Sequence, residues 1–380
     1  MKILIISNYA NGLILFRKEV ISSFIERGDN VIISVPNDEN ANKLTSLGAK
    51  VIPSHLERRG MNPIKDLKLL LEYLNLLKKE KPDIVLTYTI KPNLYGGMAC
   101  ALCKIPYLMN ITGLGTALEN PGLLGKILLK FYKIVTKKAV CVFFQNEGNR
   151  NFMLERGIAQ NNSSLLPGSG VNLTEHPYEP YPTEENGICI LAVLRIMKDK
   201  GIEEYFEAAK YISTKYPSVS FELVGEYEED IRQKYEPIIQ DLEKKNILKY
   251  YGHIDNVPEV MAQNHIIIHP SYHEGLSNVC LEAAACGRPV LTTDIPGCRE
   301  TIITQPQGSI SGILFPAKDS SALVTAIESI LSLTSTEREQ LGKNGRHYVE
   351  QNFSRQIVVN TYMTATDSIL GKQKKSDLSE

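Results

Sequence analysis

What most constrains the fold of this chain is a rhythm, run through twice, in which short apolar runs of strand length alternate with amphipathic stretches of helix length. Lys2–Ser7 and Val31–Val35 read as buried strands, with an amphipathic helix between them from about Phe16 to Arg27. Asp83–Tyr88 is a further strand, preceded by a helix over Ile64–Lys79, and Tyr107–Ile111 and Val140–Phe144 continue the series. A strand that is apolar on both sides needs cover on both faces, and strands joined through helices pair in parallel. The segment Pro177–Gly187 is rich in proline and charge, has no apolar period and reads as an interdomain linker.

Beyond that linker the pattern repeats. Strands are expected at Ile188–Leu194, Ser220–Val224, Lys249–Tyr251, Ile266–His269, Val290–Thr293 and Gly312–Phe315. Helices are expected near Ile202–Lys215, Asp230–Lys245, Val279–Cys286 and Ser320–Leu331. A last helix runs from about Ser354 to Leu370, and the polar tail Gly371–Glu380 is expected to be disordered. The expected organisation is a first α/β domain over 1–178, a second over 187–353, and a closing helix over 354–370. With 380 residues the chain is long enough for two separate cores. Two doubly wound sheets facing each other leave a central cleft at the carboxyl ends of their strands, where ligands bind in such folds.

Composition narrows the function classes. Hydrophobic residues make up 43% and charged residues 22%, which describes a soluble globular protein. No apolar run approaches the roughly 18 residues that span a bilayer. Met1–Asn8 is short, strand-like and without a small-residue cleavage site, so it does not read as a signal peptide. The seven cysteines are scattered, and Cys100 and Cys103 have no second pair at zinc-site spacing, so they read as small buried side chains in a reducing cytoplasm. His269 and His273 flank Pro270, which argues against a shared helical face and hence against a metal there. The absence of tryptophan, of an arginine-rich tract and of a reading module points away from nucleic acid. Net charge is −1 but unevenly spread: residues 1–178 hold 22 Lys and Arg against 14 Asp and Glu, leaving 20 against 29 of the total 42 and 43 for the remainder.

The most informative stretch is His269–Val290. The apolar strand Ile266–Ile268 feeds a loop carrying Glu274 and Gly275, and a helix begins near Ser277 or Asn278 with Glu282 in its first turns. A helix N-terminus offers unpaired N–H groups and a positive dipole end, which suit a phosphate or diphosphate. Carboxylates on either side of a diphosphate can accept hydrogen bonds from sugar hydroxyls. Two glutamates at this spacing also fit a solvated helix face, so their companions matter. Upstream stands Ala192–Gly201, with Arg195 and Lys200 between a strand and the following helix. Arginine makes bidentate phosphate contacts and lysine supplies a mobile point charge; a surface ion pair with Glu203 or Glu204 is the alternative. Downstream stands Pro289–Glu300, and Gly225 closes the strand Phe221–Val224.

Together these motifs resemble the retaining glycosyltransferases of the GT-B fold, family 4, whose Glu-x7-Glu element matches Glu274 and Glu282. The resemblance extends over nearly the whole chain and implies two Rossmann-like doubly wound α/β domains facing a central cleft. It implies a UDP-sugar donor, Arg195 and Lys200 clamping the diphosphate, Glu282 on the ribose, and Glu274 on the transferred sugar. The backbone N–H groups of Gly275, Leu276, Ser277 and Asn278 would then face the sugar and diphosphate, and Gly225 would border the donor. Relatives commonly carry proline near Ser277 and a histidine in the loop that is Asn110–Thr116 here; Asn110 or Thr112 would substitute for that histidine. The turn Ser7–Gly12 would border diphosphate and acceptor through Gly12 and Asn11, with one glycine where many relatives have two. The loop Asn110–Thr116, with Gln145–Glu147 and Pro167–Asn172, resembles the bacterial subgroup that assembles polysaccharide repeat units on a lipid carrier, including N-acetylgalactosaminyltransferases. That implies an undecaprenyl-diphosphate-linked sugar as acceptor, reached at the inner face of the cytoplasmic membrane, with no metal because the Arg195/Lys200 clamp replaces it.

On the acceptor side, Leu123–Lys138 is an amphipathic basic helix with Lys126, Lys130, Lys133 and Lys137 on one stripe. Such a helix can lie on an anionic membrane, or pack on a core with a solvated lysine face. Arg58 and Arg59, before Gly60, are candidates for an acceptor phosphate. Competing readings are an epimerase or phosphorylase of the same fold, and a non-catalytic subunit that binds nucleotide-sugar as a scaffold.

Overall fold

The computed structural model describes residues 1–38, 40–56, 62–114, 118, 122–227, 231–306 and 309–377. The chain divides into two units: Met1–Ser169 with Arg355–Glu380, and Gly170–Ser354.

In the first unit seven strands pair in parallel. They are β1 (Lys2–Ile6), β2 (Asn30–Pro36), β3 (Lys50–Ser54), β4 (Ile84–Tyr88), β5 (Tyr107–Ile111), β6 (Cys141–Phe144) and β7 (Ser163–Leu165). Their order is β3-β2-β1-β4-β5-β6-β7. Successive side chains on a strand point to opposite faces, and β1 shows the result. Leu4 and Ile6 join the core under α3 (Pro63–Glu80), α4 (Gly97–Cys103) and α5 (Leu123–Thr136). Ile3 and Ile5 join the core under α1 (Ala10–Glu26) and the last helix, Arg355–Asp377. Helix α2 (Ala41–Ser46) leads into β3, and α6 (Glu147–Leu154) follows β6.

The second unit repeats the plan with β8 (Ile188–Val193), β9 (Val219–Val224), β10 (Leu248–Gly252), β11 (Ile266–His269), β12 (Val290–Thr293) and β13 (Gly312–Phe315). All pairs are parallel, in the order β10-β9-β8-β11-β12-β13. Its helices are α7 (Ile202–Lys215), α8 (Arg232–Lys244), α9 (Val257–Gln263), α10 (Asn278–Ala285), α11 (Ser320–Leu331) and α12 (Ser335–Asn352). Strand order reverses between β1 and β4 in one sheet and between β8 and β11 in the other. In doubly wound sheets such reversals leave a crevice beyond the strand ends.

Helix α13 (Arg355–Asp377) crosses back to the first unit because its apolar side has a vacancy to fill there. Val358, Val359, Tyr362 and Ile369 pack with Val20, Ile21 and Phe24 of α1. Ion pairs Arg355–Glu19 (2.6 Å) and Arg27–Asp367 (2.8 Å) flank the seam. Tyr362 lies edge-on to Phe143 and donates its hydroxyl to Asn110 Oδ1. Tyr362→Phe strands that buried amide oxygen and should cost about 1–3 kcal/mol of stability, read as a lower midpoint in urea unfolding.

Several expectations change. Strands β3 and β7 were absent from the sequence reading. They are the two edges of the sheet, and edge strands lack the continuous apolar run of central ones; β3 even carries Pro53. The first helix begins at Ala10 rather than near Phe16, so Asn11 and Gly12 lie in its first turn, not in a loop. The last helix runs on through Asp377 where disorder was expected, since lysine and glutamine sustain a helix and no proline interrupts them. Residues 170–186 belong with the second unit, not with the first domain and a free linker. Arg288 donates to the carbonyls of Glu179 and Pro180, Arg338 pairs with Glu184 at 2.6 Å, and Val171 bridges to Ser354.

Candidate functional site

In the second unit the loops leaving β8 and β11 meet at the strand-order reversal. After β8 the chain keeps to the exit of β9 through Leu194 N–H to Val224 O (3.0 Å) and Ile196 N–H to Glu226 O (2.8 Å). It then makes one tight turn, Lys198–Lys200, and enters α7 through Gly201. Gly201 has φ +72°, and a Cβ there would fall 2.1 Å from the carbonyl oxygen of Pro270. Only glycine lets the two loops approach so closely. Gly225 does the same one loop away, where a Cβ would fall 1.8 Å from Leu194 O; it holds the loop together, donating its N–H to Gly252 O at 2.9 Å.

The loop after β11 is pinned on several sides. Thr292 and Thr293 of β12 donate their hydroxyls to the carbonyls of His269 (3.0 Å) and Ser271 (2.6 Å). Tyr272 N–H donates to Asp199 O at 2.9 Å, and its hydroxyl donates to Glu204 Oε1 at 2.6 Å. This frame presents Glu274. Its Oε1 receives Lys200 Nζ at 2.5 Å and His269 Nε2 at 2.9 Å. Lys200 Nζ is also 3.4 Å from Ser271 Oγ. Both contacts on Glu274 end on Oε1, so Oε2 retains acceptor capacity. The surface pairing considered for Lys200 does not form: Glu203 is held by Lys234, Glu204 by Tyr272, and Lys200 by Glu274.

Burial alone would favour a protonated Glu274. The hydrogen bond from His269 and the charge of Lys200 outweigh it and hold the carboxyl well below the usual carboxylate range. Burial opposes a charged His269, but the adjacent Cys280 sulfur and the Glu274 carboxylate prevail, and its pKa is raised. The stability that protonated His269 contributes is therefore complete below about pH 6.5, its ordinary value, and is lost as pH rises through the higher folded value. Glu274, shifted down, keeps its contribution above about pH 4.3 and loses it only well below. Melting temperatures of the wild type and His269→Gln should differ most below about pH 6.5 and converge at higher pH. A gap that widens instead would show a neutral imidazole.

Glu282 sits half-buried on α10, one turn and more beyond the helix start. Ser277 caps that helix, its Oγ accepting from Cys280 N–H at 3.2 Å. Its own N–H donates to Gly297 O at 2.7 Å, so the expected contact of the Ser277 N–H with a sugar or diphosphate is not available. Leu276 packs with Leu281, Val349 and Phe353 and anchors the loop by its side chain. Gly275 is half-buried beside Glu274, and at the helix start Asn278 Oδ1 is buried with no hydrogen-bond partner among the described residues. Arg195 lies exposed two residues past β8. Sequence reading weighed His269 only as a metal ligand; its position at the strand end, five residues before Glu274, was the available signal for the role it takes.

In the first unit the corresponding reversal, between β1 and β4, holds a cavity of about 300 Å³. Asn8, Thr89, Lys91, Asn93, Thr112 and Tyr132 line it. Thr89 adopts φ +74°, a left-handed conformation that β-branched residues rarely take, and its buried Oγ1 has no hydrogen-bond partner among the described residues. Lys91 is steadied by Asp66 at 3.0 Å. Thr112 thus belongs to this cavity. Asn110, expected to face a ligand, is buried beside the cavity: its Oδ1 accepts from Tyr362, and its Nδ2 donates to Thr87 O at 3.0 Å. Asn11 is turned to the Tyr9 hydroxyl (3.1 Å), and a Cβ on Gly12 would meet the Tyr9 ring at 3.1 Å, so both shape the start of α1. Arg58 and Arg59 lie outside the described residues. No residue type marks Thr89 or Lys91 in the sequence, because backbone strain and the fold's reversal point are not local properties.

Two parallel sheets of this order, each with polar and charged groups at its reversal point, make two doubly wound α/β units. Comparison with known proteins gives the class. The family described as Glycosyl transferases group 1 matches residues 179–348, and Glycosyl transferase 4-like matches residues 2–146. The chain belongs to this glycosyltransferase family and has the GT-B fold. It is 28% identical to N,N'-diacetylbacillosaminyl-diphospho-undecaprenol alpha-1,3-N-acetylgalactosaminyltransferase of Campylobacter jejuni, over 97% of this chain and 99% of that one. It is 25% identical to UDP-Gal:alpha-D-GlcNAc-diphosphoundecaprenol alpha-1,3-galactosyltransferase of Escherichia coli, over 77% and 79%. Among solved structures, Anabaena HepE in complex with UDP superposes with a TM-score of 0.79 at 16% identity, covering 97% of this chain and all of that one.

Proposed function

We propose that this glycosyltransferase moves a hexose or N-acetylhexosamine from a UDP-sugar to a lipid-diphosphate-linked saccharide in surface polysaccharide or glycan assembly, with retention and without a metal. The observation that carries the reading is the Lys200–Glu274–His269 cluster at the reversal point of the second sheet, beside the N-terminus of α10. When the anomeric carbon–oxygen bond lengthens, negative charge grows on the departing diphosphate and positive charge on the sugar. Lys200 and Arg195 supply the fixed positive field for the first, in place of a divalent cation. Glu274 Oε2 accepts from a sugar hydroxyl, while His269 and Lys200 keep that carboxylate ionised and in place. Glu282 accepts from the ribose hydroxyls. The relatives from Campylobacter jejuni and Escherichia coli, whose names state diphospho-undecaprenol acceptors, support the acceptor class. The cavity of the first unit, with Asn8, Thr89, Thr112 and Lys91, offers the mixture of hydroxyl, amide and cation that an acceptor saccharide and its phosphate require.

The test is the product itself. A reaction in EDTA, analysed by nuclear magnetic resonance, should yield a glycosidic bond with the donor's anomeric configuration. Inversion, or activity abolished by the chelator, would overturn the mechanism.

A further inference from the structure

At the reversal point of the first sheet, Thr89 combines two unfavourable features in one residue. Its φ of +74° lies in the left-handed region, where a side chain branched at Cβ is strained. Among the described residues, the other non-glycine positions with positive φ are Lys81, Lys104, Ala159, Asn246 and Lys318, none of them branched at Cβ. The hydroxyl adds a second penalty, because Thr89 Oγ1 is buried without a hydrogen-bond partner among the described residues. The backbone of Thr89 serves the fold: its carbonyl accepts from Asn93 N–H at 3.0 Å in the turn that leaves β4. Glycine or asparagine would supply that carbonyl with less strain. Strain and an unsatisfied group retained together point to a side chain that serves a ligand.

The cavity that Thr89 lines is held by groups already paired. Thr87 donates its hydroxyl to Asn93 Oδ1 at 2.7 Å, Asn93 Nδ2 donates to Asn110 O at 2.9 Å, and Lys91 is paired with the buried Asp66 at 3.0 Å. Among the described residues, Thr89 Oγ1 is the one buried side-chain polar atom of the lining left without a partner. Leu56, Ile90 and the buried Tyr132 supply an apolar wall. A volume of about 300 Å³ lies at the small end of ligand pockets. It suits one sugar ring rather than an oligosaccharide: the C–H face of the ring meets the apolar wall, and one of its polar groups meets Thr89.

We infer that Thr89 is a specificity-determining residue for the acceptor, its hydroxyl reserved for one hydroxyl or amide group of a single sugar ring seated in this cavity. A ring that carries the matching group satisfies Oγ1, whereas a ring that lacks it leaves two buried polar positions unpaired, which is how a hydrogen-bonding site rejects a near-identical substrate. The strained backbone fixes the hydroxyl before the sugar arrives, so little order is lost on binding. The inference rests on the acceptor reading proposed above for this cavity and adds which side chain selects and how much of the acceptor it reads.

Thr89→Val keeps the branched shape and removes the hydroxyl. The full chain is assayed with farnesyl-diphosphate-linked glucose, galactose, N-acetylglucosamine and N-acetylgalactosamine as acceptors. For the acceptor that the wild type prefers, Thr89→Val should lower kcat/KM by about tenfold or more, chiefly through the acceptor KM, while the KM for the UDP-sugar stays within about twofold. Preference among the four acceptors should narrow by a similar factor. The melting temperature should rise by about 2 °C or more, because a buried unpaired hydroxyl is gone. Thr89→Ser, which keeps the hydroxyl and loses the branch, should hold the acceptor KM within about threefold of the wild type. Wild-type acceptor kinetics in Thr89→Val would overturn the inference. So would a rise in the donor KM alone, or a lower melting temperature, which would make the hydroxyl structural. Transfer by the wild type that Thr89→Val leaves untouched would remove only this residue; failure of the wild type to transfer to any acceptor would remove the proposed function instead.

Discussion

Lys200→Ala should lower the rate of sugar transfer by about 10²–10³ while leaving the protein folded. Lys200 stands on a turn between β8 and α7 that Gly201 presses against Pro270. Its ammonium is thus held within one small region by backbone geometry as well as by Glu274. A fixed positive charge acts most strongly where charge develops, and on the departing diphosphate it develops only as the bond breaks. The loss should therefore fall on kcat and kcat/KM together, with a smaller change in KM. Lys200→Arg keeps the charge but not the compact head, and partial recovery is expected from it. Steady-state kinetics of both variants with a saturating acceptor checks the result; unchanged kcat in Lys200→Ala would remove lysine from the diphosphate clamp.

Glu274→Gln should reduce kcat by about 10² and also lower stability by about 1–3 kcal/mol. The substitution keeps shape and removes charge. Two effects follow from one atom, because Oε1 receives both Lys200 and His269. The sugar loses an ionised acceptor for its hydroxyl, and the buried His269 loses the carboxylate that sustains its proton. Lys200 and Glu274 are direct partners, so their effects should not add. The double variant Lys200→Ala, Glu274→Gln should be less impaired than the product of the single losses. Simple additivity in a double-mutant cycle would show that the pair acts independently.

Much of this was legible in the residues. The central strands were, because Ile3–Ile6 or Ile266–Ile268 are apolar on both sides and tolerate no other placement. Helix α10 was, since Ser277 announces its start and does cap it. Helix α12 was not, because Ser335–Asn352 is strongly polar and carries Gly342 and Gly345; its signal was the capping box Thr334 to Glu337. A Cβ on Gly342 would fall 2.0 Å from Gly287 O, so the glycine that obscured the helix is what lets it pack. At the site, the sequence identified Lys200 and Glu274 separately. Their pairing, and the histidine beside them, follow from a fold that brings together two strand ends whose loops carry residues 74 positions apart. The partner of Asn110 was equally illegible, because nothing local reveals that Tyr362, 252 positions away, donates to its side chain.

The most direct test of the central claim is UDP release in EDTA from a panel of UDP-sugars, with and without a lipid-diphosphate-linked monosaccharide, for the wild type and Lys200→Ala. The account predicts release from one donor that requires the acceptor and falls by about 10² or more in the variant. Release that ignores the acceptor, or that is the same in Lys200→Ala, would contradict it.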